Sequence, residues 1–96
     1  MDIRSLQITA LVARLGSFAA AARAMDLDPS SVSRTVAAVE AELSLRLFER
    51  STRRLTVTEA GETYLARIAP HLDGLEEARD AARPDAEPSG TLRLTA

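Results

Sequence analysis

Apolar residues recur at helical spacing along most of this 96-residue chain, interrupted at a few points by glycine, proline and short polar residues. Between Ile3 and Leu15 they occupy two faces: Ile3, Leu6, Ala10 and Ala13 on one, Ile8, Leu11, Val12 and Leu15 on another. Asp2 caps this first helix and Gly16 ends it. Apolar cover over so much of its girth predicts a helix packed between two partners. Ser17 caps a second helix, in which Phe18, Ala21, Ala22 and Met25 stand at core spacing and the alanines let another helix come close. Asp26 and Leu27 form a turn. Asp28 then caps a third helix, with Pro29 at its first position, where a missing N–H costs nothing. Val32, Val36, Val39 and Leu43 mark the buried stripe of that helix, and Ser30, Ser33, Arg34 and Ala37 make up its small, polar opposite face.

Residues 45–57 alternate poorly but hold enough strand formers for a short hairpin, with Thr52 and Arg53 near its tip. Thr58 caps a long fourth helix reaching about Ala82. Along it Leu65, Ile68, Leu72, Leu75, Arg79 and Ala82 keep a coiled-coil-like spacing broken by one arginine. Pro70 removes the bond to the Ala66 carbonyl, which predicts a kink, and Gly74 weakens the helix further. Residues 83–90, with Pro84 and Pro88, read as a linker, and residues 91–95 as the start of a strand whose sheet is missing. That pattern describes the front end of a longer protein. Two short helices meeting at a tight turn, followed by a basic hairpin, predict a mainly α winged helix-turn-helix at residues 1–58, a device for placing one helix in a DNA groove.

Composition narrows the function. Alanine, leucine and valine dominate the apolar content, and aromatics make up only 3%, which favours helices over sheet. With no cysteine and a single histidine, His71, neither a disulfide framework nor a metal site is expected. No nucleophile elbow or glycine-rich phosphate loop accompanies His71, so no enzyme is expected. The absence of a long apolar run or signal-peptide pattern predicts a soluble cytoplasmic protein with no membrane partner. The net charge of −2 conceals an asymmetry: residues 1–58 carry +2 and residues 59–96 carry −4. Every basic side chain is arginine, and Arg50, Arg53 and Arg54 crowd the hairpin. Local field matters more than the total for phosphate binding, although so modest an excess argues against tight nonspecific binding by a lone monomer.

The residues Gly16-Ser17-Phe18, the alanines after them, Ser33-Arg34, Glu40, Leu47-Phe48-Glu49-Arg50, Arg53 and Thr58-Glu59-Ala60-Gly61 together resemble the N-terminal domain of LysR-type transcriptional regulators. The likeness covers nearly the whole chain, and Gly90-Thr91-Leu92-Arg93-Leu94 is similar to the entry into that family's effector-binding domain. It implies a bacterial regulator that binds an imperfect inverted repeat in double-stranded DNA as a homodimer. The linker helix at residues 59–82 would pair the subunits through Leu65, Ile68, Leu72 and Leu75; the equal alternative is that these pack on the first helix of their own chain, and a role shared between the two is favoured because both faces of that helix need covering. Residues 83–96 would be a hinge and the first strand of a missing effector-binding domain. Tetramers would form only at full length. No cofactor is expected in this chain, because a small-molecule inducer would bind the missing domain. Four positions depart from the family pattern. Ser44 replaces a glycine after the third helix, Thr9 stands where an aromatic is common, and Ala37 and Ala38 replace basic or polar residues.

Arg34 is the leading candidate for base readout, since its guanidinium fits guanine O6 and N7; its bland alternative is a surface ion pair with an acid such as Glu40. Ser30 and Ser33 either bond phosphates and base edges or act as ordinary helix-start serines, and Pro29 can touch a thymine methyl. Arg53 is placed first for the flanking minor groove, while Arg54 and Arg50 either face DNA as well or are structural. Ser17 either helps hold a phosphate at its helix start or simply caps it. The rival to DNA binding is a winged-helix protein-interaction module without DNA readout.

Overall fold

The computed structural model describes residues 1–51 and 54–83. Thr52 and Arg53, and the linker and strand expected beyond Arg83, lie outside the described residues. The chain forms α1 (Ile3–Leu15), α2 (Phe18–Met25), α3 (Pro29–Leu43), β1 (Phe48–Arg50), β2 (Leu55–Val57) and α4 (Glu59–Ala82). This is a mainly α winged helix-turn-helix followed by a long helix. The strands pair antiparallel, Phe48 opposite Val57 and Arg50 opposite Leu55.

Local chemistry explains where the helices begin. Asp2 Oδ1 accepts from the Ser5 N–H at 2.8 Å, and Ser17 Oγ from the Ala20 N–H at 3.0 Å. Hydrogen bonds from the Ser5 side chain, then from its backbone, hold the Asp2 carboxyl below the usual carboxylate range. Asp28 occupies the cap position of α3 but makes no capping hydrogen bond with its side chain; Pro29, with φ already helical, starts that helix instead.

Left-handed residues end the first three helices. Gly16 has φ 70°, Asp26 φ 60° and Ser44 φ 55°. After α2, Leu27 N donates to Ala22 O and Asp26 N to Arg23 O; after α3, Leu45 N donates to Glu40 O and Ser44 N to Ala41 O. Both are Schellman closures, which satisfy the last carbonyls and reverse the chain in two residues. The Asp26 turn is what joins α2 to α3 so tightly.

The core lies where α1, α2 and α3 meet. Val12, Ala21, Ala22, Val32, Val36, Val39, Leu47 and Phe48 are all at most 1% exposed. Val32, Val36 and Val39 are the expected stripe; Leu43 is half-buried at its end. Thr9, which stands where an aromatic is common in the family, is also fully buried. Its methyl group packs while its hydroxyl donates to Ser5 O at 2.8 Å, so no polar atom is stranded.

The expectation that α1 is covered on both apolar faces holds only in its middle. Ile3 is 47% and Leu15 43% exposed, at the two ends of the helix. α4 packs against α1 through Leu72, which is buried, and Gln7 Nε2 donates to Glu76 Oε2 at 3.4 Å. The helical backbone of α4 runs unbroken through Pro70. Leu65 and Ile68 are half-buried and Leu75 is 46% exposed.

Ser44 offers a direct test of backbone strain. An L-residue in the left-handed region costs about 1 kcal/mol that glycine avoids. Ser44→Gly is expected to raise unfolding stability by about that amount, measured by urea denaturation; unchanged or lower stability would count against strain at this turn.

Candidate nucleic-acid interface

α3 is held by one face only, and that decides what the other face can do. With Val32, Val36 and Val39 turned inward, Ser30, Arg34 and Ala37 are exposed and Ser33 is half-buried. Pro29 is exposed at the start of the same helix. The structure therefore gathers Pro29, Ser30, Ser33 and Arg34 on one accessible surface of α3.

Arg34 makes no ion pair among the described residues. Its Nη2 lies 3.5 Å from Ser31 Oγ, a long contact on the exposed surface. The alternative pairing with Glu40 is overturned, because Glu40 is occupied elsewhere: its Oε2 accepts from Leu47 N at 2.8 Å and from Phe48 N at 3.1 Å. Sequence reasoning missed this role. Two acids, Glu40 and Glu42, stand near the C-terminal end of α3, and no local signal marks which of them turns to the hairpin. At the same end of α3 the N-terminal ammonium pairs with Glu42 at 2.8 Å, and that hydrogen bond raises the ammonium above its ordinary pKa.

The hairpin forms a second surface. Arg50 and Arg54 are exposed, and the Arg50 guanidinium carbon sits 4.8 Å from the centre of the Phe18 ring. Phe18 in turn meets Phe48 edge-on, with ring centres 6.2 Å apart. Arg50 thus has a structural stacking partner, and the stack ties the hairpin to the start of α2. Ser51 and Arg54 bond across the hairpin end, with Ser51 N donating to Arg54 O at 3.0 Å. A shallow depression lined by Gly16, Ser17, Phe18, Arg50, Arg54 and Leu55 brings Ser17 beside Arg54. The Ser17 hydroxyl is already used as the cap of α2. Arg53, the expected wing contact, lies outside the described residues.

Hydrogen bonds lock the hairpin root to α4. Thr58 N donates to Leu47 O at 2.9 Å, and the Thr58 hydroxyl donates to Arg46 O while accepting from Gly61 N. Gly61 lies hard against this junction. A Cβ there would fall well inside contact with Leu47 O and 2.9 Å from Val57 Cγ1. Between α1 and α4 an open groove runs past Ala10, Leu11, Leu65, Ala66, Ala69 and Leu72, largely apolar in lining. No cluster of potential metal ligands occurs among the described residues, and none of their helices is long and apolar enough to cross a membrane.

Residues 3–62 match the family model for bacterial regulatory helix-turn-helix proteins of the LysR family. The chain belongs to the LysR family. It is 39% identical over 100 residues to the transcriptional regulator PtxR of Pseudomonas aeruginosa, aligning with all of this chain and 31% of PtxR. Thus it spans about a third of that relative's length. Among solved structures, hydrogen-peroxide-bound mutant OxyR of Corynebacterium glutamicum superposes with a TM-score of 0.82 at 31% identity, covering 88% of this chain and 27% of OxyR. The DNA-binding domain of BenM, solved in complex with catB site 1 DNA, superposes with a TM-score of 0.76 at 26% identity, covering 81% of this chain and 84% of that domain. These relatives are regulators and DNA-binding domains, the class that the α3 surface and the hairpin describe.

The LysR-family junction at Gly61 carries its own prediction. Gly61→Ala would favour the helix locally but must push the Leu47 backbone, which is pinned from both sides. Overpacking against backbone is expected to lower stability by about 2 kcal/mol, read from the urea unfolding midpoint; an unaltered midpoint would show that the junction yields.

Proposed function

We propose that this chain is the DNA-binding part of a LysR-type transcriptional regulator that engages an inverted repeat in double-stranded DNA as a homodimer. The observation that carries the reading is the free Ser30, Ser33 and Arg34 face of α3, held up from behind by three buried valines. The superposition on the BenM domain solved with DNA supports a DNA-binding role for the fold. α3 would lie in the major groove, Arg34 reading guanine and Ser30 and Ser33 bonding phosphates or base edges, with Pro29 against a thymine methyl. Arg53 and Arg54 would follow the flanking backbone and minor groove, and Ser17 with the first N–H groups of α2 would face a phosphate.

The dimer would form through α4. Leu75 is 46% exposed, and the apolar groove beside Leu65 and Leu72 is open, so α4 retains surface that its own chain does not cover. Ile68 adds to the same seam. Inducer binding and tetramer formation would belong to an effector domain, and regulation would take place in the cytoplasm, where the DNA is.

Selecting bound fragments from a random DNA pool tests the reading. Enrichment of a symmetric site with a fixed half-site spacing is expected, and recovery of no preferred sequence would sink it. Arg34→Ala is expected to relax preference at one position of each half-site, worth roughly 1–3 kcal/mol; competition assays with single-base variants would reveal unchanged preference if Arg34 reads no base. Arg53→Ala is expected to weaken binding uniformly and reduce the salt slope by about one. An identical slope by titration at several salt concentrations would remove Arg53 from the phosphate contacts.

A further inference from the structure

We propose that Glu40 is a positioning residue for DNA binding: its carboxylate fixes the offset between the base-reading helix and the wing. The proposal rests on the DNA-binding reading above and names a residue that reads no base itself. Glu40 is six positions beyond Arg34, which places it about 9 Å further along the axis and about 120° around the helix. It is half-buried and faces the root of the hairpin. Among the described residues it is the one α3 side chain that hydrogen-bonds that root.

The geometry makes this contact a pivot. A single oxygen, Oε2, accepts from two successive N–H groups, Leu47 N at 2.8 Å and Phe48 N at 3.1 Å. Leu47 is then held from its other side, because its carbonyl accepts from Thr58 N at 2.9 Å. Phe48 opens β1, is 1% exposed and packs on Phe18. Arg50 lies two residues on, so strand alternation puts it on the same side as Phe48, where it stacks on Phe18. The direction in which the hairpin leaves the body is therefore set within its first three residues. Charged acceptors make the stronger hydrogen bonds, and two N–H groups buried without Glu40 would be left unsatisfied.

Simultaneous contact with a major groove and its flanking backbone demands a fixed separation between α3 and the hairpin. A duplex offers those two surfaces at one spacing only. An anchored wing adds its arginine contacts at no further cost in ordering, whereas a wing free to swing must be ordered on binding. Glu40 is thus expected to act on the flanking contacts and to leave base preference alone.

Three substitutions separate this from a simple folding role. Because one oxygen takes both bonds, the Gln carbonyl of E40Q can replace it. E40D keeps the charge but is one methylene short, and E40A supplies no acceptor. The 96-residue chain and each variant would be titrated at several salt concentrations on a duplex enriched from the random pool. Hydroxyl-radical protection of the flanking backbone and competition by single-base variants of the half-site would be measured alongside.

E40A and E40D are expected to bind roughly tenfold more weakly. Their salt slopes should be shallower by about one, with flanking protection lost and half-site preference retained. E40Q should stay within about threefold of the parent and keep the protection. Retained protection and slope in E40D, or an E40Q that behaves like E40D, would overturn the proposal. So would loss of base preference in step with the flanking contacts. Should E40A fail to fold by circular dichroism, the contrast between E40Q and E40D still decides. A parent chain with no salt-dependent binding would overturn the DNA reading beneath it, an outcome distinct from any difference among the variants.

Discussion

The burial of Val32, Val36 and Val39 is the constraint on which the rest of this molecule depends. All three are at most 1% exposed, in contact with a core built from α1, α2 and the two residues that open the hairpin. Fully burying one such side chain contributes roughly 1.5–3 kcal/mol, enough for three to fix how a helix is turned about its axis. Once that rotation is set, Ser30 and Arg34 point outward, with Ser33 half-buried at the edge of the core. Presentation of the polar face is a consequence of how the apolar one is packed.

A core of this size leaves much of the positioning to hydrogen bonds at the ends of elements. Asp26 and Ser44 close their helices in left-handed turns, so α3 enters and leaves at fixed angles. Glu40 and Thr58 hold Leu47 by its N–H and its carbonyl, one from the helix before and one from the helix after. These polar contacts bury little surface, yet each removes a degree of freedom between neighbouring elements. The close approach of Gly61 to the Leu47 carbonyl shows how little slack this junction has.

Much of this was legible in the residues. Ser17 and Thr58 cap helices because a hydroxyl beside a free N–H has an obvious local partner. The left-handed Ser44 could be anticipated from the resemblance to a family that carries glycine at that position. Local signals failed where the partner was distant in sequence or at helix ends. Nothing near Glu40 announces that its carboxylate serves N–H groups seven and eight residues away. The stacking of Arg50 on Phe18 joins residues from different elements, and periodicity treats both as unrelated. Ile3 and Leu15 looked like core by their spacing, yet stand exposed at the two ends of α1. The Asp28 side chain was expected to cap and does not, since Pro29 already supplies the helical start.

On its own, the order of residues determined the helices, the caps at Asp2, Ser17 and Thr58, the hairpin and the polar face of α3, because each arises from interactions within a few positions of one another. It also determined the family, since the motifs that mark it are contiguous. Tertiary structure decided which acid stays free and which is consumed, which arginine stacks and which stands clear, and how the wing is angled against the helix. Those outcomes hinge on which donor or ring arrives within bonding distance once the elements pack. That arrival is settled by the shared core, which no short stretch of sequence contains.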